Sequence, residues 1–198
     1  KEKVINSVDV HCQRNIKVGD VFEELLFGNF VFACTAFFRR DLYMAHADLR
    51  TWHSLGFKME DYPMWLVFSK FSKFGYIKES LSTYRKSINT ISNPQDKGKL
   101  LKFRSSCYDV RLFFVKKYAP SNQTQNYVLT SYHLFNLEYA LYLRNKELAQ
   151  QSLKYFQEKG SISFFHQFYY LATKSWIIWF ILKSLRKFFK SLRIDIYS

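Results

Sequence analysis

Apolar positions change their spacing several times along this chain, and each change predicts an element. Residues 29–38 form a continuous apolar run of strand length, which predicts a strand buried on both faces. Residues 1–22 are polar and weakly patterned and read as the loose end of an element cut from its partners. A helix is expected from Asp61, since Pro63 suits a first helical turn, running to about Phe74 and stopping at Gly75. Residues 76–78 and 81–85 read as short strand-like pieces. Asn93-Pro94 with Gly98 then breaks the pattern.

From Lys99 the period is helical. Leu100, Leu101, Cys107, Val110, Leu112, Phe113 and Phe114 recur on one broad face until Pro120. A second helix spans about 126–143, with Leu134, Leu137, Leu141 and Tyr142 on one side, and a third spans about 146–158 before Gly160. Three helices with short loops predict an α-helical extension. A tandem helical array is the alternative, but no motif repeats at a constant period.

The tail changes character again. On a helical wheel from Trp176, Ile177, Ile178, Ile181, Leu182, Leu185, Phe188, Phe189 and Leu192 form one stripe, thickened by Trp179 and Phe180. Lys183, Arg186, Lys187, Lys190 and Arg193 fall opposite, with no acid between them. That is the pattern of a basic amphipathic helix in a membrane interface, with Trp176 and Trp179 at the boundary. Its uncharged run is far shorter than the roughly 20 residues that span a bilayer. Each cation near an anionic leaflet contributes about 1 kcal/mol. The same stripe could instead dock on the protein's own core, or serve as a calmodulin-type target helix.

Charge sharpens the choice of partner. A net +14 points to a polyanion, either an anionic membrane surface or nucleic acid. No nucleic-acid-binding module or stacking stripe is present, so the membrane surface is the expected partner and nucleic acid is not. Cys12, Cys34 and Cys107 are odd in number and far apart, which suggests neither a zinc site nor a disulfide framework and makes a reduced, cytosolic setting the default. Cys34, inside the apolar run, is expected in the core. His11, His46, His53, His133 and His166 lack ligand spacing and read as surface or capping residues, so no metal ligand is assigned.

The chemistry-bearing pattern is Met59-Glu60-Asp61-Tyr62-Pro63-Met64-Trp65-Leu66, succeeded by Ser82-Thr83-Tyr84-Arg85. Two adjacent carboxylates open an apolar helix, whose free N–H groups and dipole favour an ionised carboxylate. A positioned carboxylate can act as a general base on a hydroxyl. The plainer alternative is an acidic first helical turn.

Residues 23–92, about a third of the chain, resemble the C-terminal half of the catalytic domain of family 2 glycosyltransferases, the inverting GT-A type. The resemblance runs through Leu25-Leu26-Phe27-Gly28-Asn29-Phe30, Thr35-Ala36-Phe37-Phe38-Arg39-Arg40-Asp41-Leu42, Gly56-Phe57, the Glu60-Asp61 element and Gly75-Tyr76-Ile77-Lys78-Glu79-Ser80-Leu81-Ser82-Thr83-Tyr84-Arg85. It implies an α+β fragment, mostly helical, in which the C-terminal half of a GT-A α/β domain is followed by the helical extension. The expected divisions are 1–94 for the catalytic part, 95–160 for the extension and 161–198 for the membrane-surface region.

By this resemblance Asp61 would be the catalytic base and Glu60 would hold the acceptor or tune Asp61. Trp65 would pack the helix against the sheet. Arg85 would face the donor diphosphate, and Tyr84, Thr35, Arg39 and Arg40 would line the substrate side. Many relatives carry a His two positions after the Tyr-Arg pair; Ser87 stands there, which argues against a metal ligand in this segment. The Gln-x-x-Arg-Trp element of processive polymerases is also absent, which implies single-sugar addition. No Asp-x-Asp precedes Asp61, so the expectation is a C-terminal fragment, inactive alone. A divalent metal, Mg or Mn, would act through the N-terminal half. The expected partners are a nucleotide sugar and a glycan or lipid-linked acceptor, in surface polysaccharide assembly on the cytoplasmic face of a bacterial membrane. The competing reading is a non-catalytic basic membrane-binding or scaffold module.

Overall fold

The computed structural model describes residues 17–79, 81, 90, 94–175 and 178. Helices take 69% of these and no strand forms among them, so only the helical side of the α+β expectation is met. The chain divides into two units, at 128/129, inside a long helix.

The first unit is organised around a helix that is apolar on nearly every side. α1 is Phe22–Phe27, α2 Arg40–His46, α3 Leu49–Ser54, α4 Asp61–Phe71 and α5 Lys97–Tyr118. In α4, Tyr62, Pro63, Trp65, Leu66, Val67, Phe68 and Ser69 are all buried. A helix that is apolar all round must be covered all round, and α1, α2 and α5 pack on it. α1 contributes Phe22, Leu25 and Leu26, and α5 contributes Val110, Phe114 and Val115. Each fully buried Leu or Phe here is worth about 1.5–3 kcal/mol.

Polar residues set where these helices begin and end. Asp48 accepts from Thr51 N at 3.1 Å to start α3, and Asp96 accepts from Lys99 N at 2.7 Å to start α5. α5 stops where Ala119 turns left-handed, at φ 41°, just before Pro120. α4 ends at Phe71, three residues short of the expected point, because Phe74 leaves the helix to pair with Gly19 in an isolated antiparallel bridge.

The strand expected at 29–38 is not there. Asn29 Oδ1 accepts from Val31 N at 3.0 Å, and Thr35 bonds Phe32 O through both its N–H and its hydroxyl at 2.9 Å. These local bonds close a 3-10 turn, Ala33–Thr35, in place of a ladder. A buried strand needs partners on both edges for its N–H and C=O groups, and the Gly19–Phe74 bridge is the only pairing among the described residues. The apolar run is therefore largely at the surface: Phe37 is 91% exposed and Cys34, expected in the core, is exposed. Residues 76–78 likewise form no strand.

α6 is Asn122–Leu143, and its residues after Val128 belong to the second unit with α7, Lys146–Glu158, and α8, Phe164–Lys174. Leu137, Ala140, Ala149 and Phe156 make the core of this unit. Leu141 and Ala172 form a smaller cluster beside it. Tyr142, expected on the apolar side of α6, is instead 43% exposed. Asn145 caps α7 by accepting from Leu148 N at 3.0 Å, and α7 ends before Gly160, at φ 62°, as its sequence required. His166 caps α8 through Nδ1, which accepts from Ser163 N at 3.1 Å. No helix among the described residues is long and apolar enough to cross a membrane. Trp176, Trp179, Lys183, Arg186, Lys187, Lys190 and Arg193 lie outside the described residues.

Candidate functional site

Asp61 is the first residue of α4, and Tyr62 N donates to its Oδ1 at 2.8 Å. The carboxyl is half-buried, and desolvation raises its pKa above the ordinary aspartate value despite that hydrogen bond. Glu60, by contrast, is exposed at the N-cap position and makes no side-chain capping bond. The two neighbours thus differ: one carboxyl is drawn into the fold and the other faces water.

The next residue along α4 fixes Asp61 in place. Tyr62 is only 1% exposed, and its hydroxyl donates to Leu25 O at 2.6 Å while accepting from Arg111 Nε at 3.0 Å. One phenol therefore ties α1, α4 and α5 together at the residue next to the carboxyl. Burial pushes the Tyr62 hydroxyl up to about 12, so it stays a neutral donor at any physiological pH. A second tie runs from Lys58 N, three residues before Asp61, to Ser106 Oγ at 2.8 Å.

The face of α5 turned to this corner carries Arg104, Cys107, Tyr108 and Arg111, at helical spacings of three, four and seven. Cys107 is pushed up to about 11, first by burial; the charges of Arg111 and Arg104 pull the other way and Asp61 adds to the rise. The thiol thus lies within electrostatic reach of both arginines and of Asp61, as an unreactive neutral group. Arg111 also lies over the Tyr108 ring, 5.0 Å from its centroid.

The remaining sequence candidates are placed less tightly. Phe38, at the corner before Arg39 and Arg40, rests on α4 with its ring 5.9 Å from Trp65 and 5.3 Å from Phe68. Trp65 therefore packs against that corner, not against a sheet, and its buried Nε1–H has no acceptor among the described residues. Arg39 pairs with Asp41 at 3.4 Å in the open, Arg40 is exposed, and the Thr35 hydroxyl is spent on its own turn. Tyr84 and Arg85 fall outside the described residues.

Sequence reasoning passed over Arg111, Tyr62 and the Arg104–Cys107–Tyr108 face. A signal was present: Arg111 stands between Val110 and Leu112-Phe113-Phe114, a cation inside an apolar run. No family model, curated protein or solved structure matches this chain.

Proposed function

We propose that this chain is the acceptor-side part of an inverting family 2 glycosyltransferase, with Asp61 as the general base. The observation that carries the reading is the pairing of a half-buried, raised-pKa carboxyl at the start of α4 with a neighbouring residue, Tyr62, pinned to two other helices. A base that takes a proton as the hydroxyl attacks works best with its pKa nearer to neutrality and its position fixed. Asp61 would accept the acceptor hydroxyl's proton while that oxygen displaces a nucleoside diphosphate at the anomeric carbon. Glu60, exposed beside it, is free to hold an acceptor hydroxyl. The nucleotide-sugar half and any divalent metal it binds belong, in this reading, to sequence outside this chain.

The acceptor is proposed to be lipid-linked and met at an anionic membrane surface. α8 supports this with Phe164 and Phe165, 74% and 58% exposed, just ahead of the basic tail. Removing the residues after Ser175 is expected to abolish sedimentation with anionic vesicles, and unchanged binding would remove the membrane role.

The test of the activity is sugar transfer by the full-length protein bearing this chain, from a panel of nucleotide sugars to a lipid-linked acceptor. Asp61→Asn keeps size and hydrogen bonding but removes the base. Transfer is expected to fall by about 10²–10⁴-fold with folding intact. Undiminished transfer would reduce Glu60 and Asp61 to an acidic helix start.

A further inference from the structure

We infer that the outer face of α8 is a lipid-contact surface, an aromatic wedge that seats in the interface of an anionic bilayer. Phe164, Phe168 and Leu171 stand at i, i+4 and i+7, which places them on one face of the helix, and Phe165 adjoins them in the first turn. Phe164, Phe165 and Leu171 are 74%, 58% and 44% exposed. Phe164 stacks on Phe168 with ring centroids 5.7 Å apart and meets Phe165 edge-on at 6.4 Å, so the rings form one patch. The opposite face holds α8 to its unit. Ala172 and Thr173 are buried, Tyr169 and Tyr170 pack on the core of Leu137, Ala149 and Phe156, and His166 stacks on Phe156 at 4.0 Å. The patch is therefore carried by a helix whose other side is already occupied, and it stays open to solvent.

Size and charge select the partner. Four side chains of this kind expose on the order of 400 Å² between them, about half of the ~800 Å² that each side of a stable protein interface buries. A second copy would need more surface than α8 offers, whereas a bilayer needs no matching shape. Charge then favours an anionic bilayer. From Lys159 to Ile194 the chain carries Lys or Arg at seven positions and no Asp or Glu. Glu158, the last acid before this stretch, is paired with Lys154 at 3.6 Å. Lys174, one turn beyond Leu171 and exposed, extends over the Tyr170 ring, 4.4 Å from its centroid. A lysine stem on an apolar surface can reach headgroups in this way. One weak membrane signal binds only marginally, and a second makes the contact stable. The patch supplies the apolar signal and the cations the electrostatic one. This rests on the membrane surface proposed above, to which it adds a folded contact, and is independent of the transferase chemistry.

The experiment is sedimentation of the full chain with vesicles of mixed phosphatidylcholine and phosphatidylglycerol, across a salt series. Phe164→Ser with Phe165→Ser removes the patch and no charge. Vesicle partition is expected to fall about tenfold, at unchanged melting temperature and unchanged salt dependence. Leu171→Gln, at a second exposed position, should lower partition in the same direction and decides alone if the double variant fails to fold. Phe164→Trp should hold or raise it, since tryptophan suits the interface. Folded Phe164 and Phe165 variants that bind as tightly as wild type overturn the inference. If Lys183→Gln with Arg186→Gln and Lys187→Gln then loses binding, the tail alone makes the contact. Absence of vesicle binding by the wild-type chain overturns both patch and tail. In that case a dimer that the double Phe variant dissociates, seen by analytical ultracentrifugation, makes a second copy the occupant. Binding gained only on removing the residues after Ser175 makes the chain's own tail the cover, and overturns the inference equally. Patch-dependent binding alongside full transfer by Asp61→Asn would leave the wedge standing and the base assignment refuted.

Discussion

The Tyr62 hydroxyl and Arg111 Nε meet at 3.0 Å, and the same hydroxyl donates to Leu25 O at 2.6 Å, so a single phenol oxygen holds three helices at the mouth of the candidate site. Tyr62→Phe keeps the ring and its packing but strips both bonds. It leaves a buried carbonyl and a half-buried guanidinium N–H without their partner. The expected cost is about 1–3 kcal/mol in chemical denaturation, with little change in the slope. A loss under about 0.3 kcal/mol would mean that water replaces the hydroxyl and that the tie does not hold the corner together.

Asp61→Asn makes a prediction about stability that is separate from activity. Burial raises the Asp61 pKa above its unfolded value of about 3.9. As pH rises through the window between the unfolded and the raised folded value, the unfolded state loses its proton first, and the folded state loses stability. Above that window the penalty is constant. The Asn variant should therefore melt higher than wild type at pH 7, with the difference closing as the pH falls below both values. A residue present only to favour a helix start gives the opposite sign, since its removal weakens the dipole interaction. Lower stability of Asp61→Asn at pH 7 would support the plain capping role.

Glu23 shows the reverse linkage. Its carboxylate accepts from the Ser121 hydroxyl at 2.6 Å, from the Thr124 hydroxyl, and from Ser121 N at 2.8 Å, and these bonds hold its pKa below the ordinary glutamate value. The stability they contribute is complete above the unfolded value of about 4.3 and is lost as pH falls through the depressed folded value. Glu23→Gln should cost about 1 kcal/mol at pH 7, because one oxygen acceptor becomes a donor facing donors. The gap from wild type should shrink on acidification below pH 4, read from thermal melts across pH.

The range of each interaction decides how legible it was in the sequence. α7 was readable to the residue, since Asn145 and Gly160 punctuate it and its apolar spacing is regular. The start of α4 at Asp61 was readable for the same local reason. Residues 29–38 misled because an apolar run of that length fits a buried strand, whereas its outcome depends on whether edges exist to pair with. The short helices α1, α2 and α3 each have too few turns to show a period. The Tyr62–Arg111 tie joins positions 49 residues apart, and neither residue alone announces the other. Asp61 could be picked out by type and position; its support could not.

His133 and His166 are expected to make the second unit sensitive to mild acid. His133 stacks on Tyr155 with ring centroids 4.0 Å apart, and His166 stacks on Phe156 at 4.0 Å while its Nδ1 accepts from Ser163 N. Burial lowers both pKa values below the ordinary histidine value. The unfolded chain therefore takes up protons near pH 6.5, before the folded chain does, and the fold loses stability as pH falls through and below that value. Protonation of His166 also converts the acceptor of Ser163 N into a donor and breaks the α8 cap. Hydrogen-exchange protection of α7 and α8 amides should therefore decline between pH 7 and pH 5. His166→Asn offers Ser163 N an oxygen acceptor that does not titrate. It should flatten much of that decline while losing some stacking stability at pH 7. An unchanged pH profile in His166→Asn would assign the sensitivity to His133, and a wild-type profile that is already flat would remove the histidine linkage altogether.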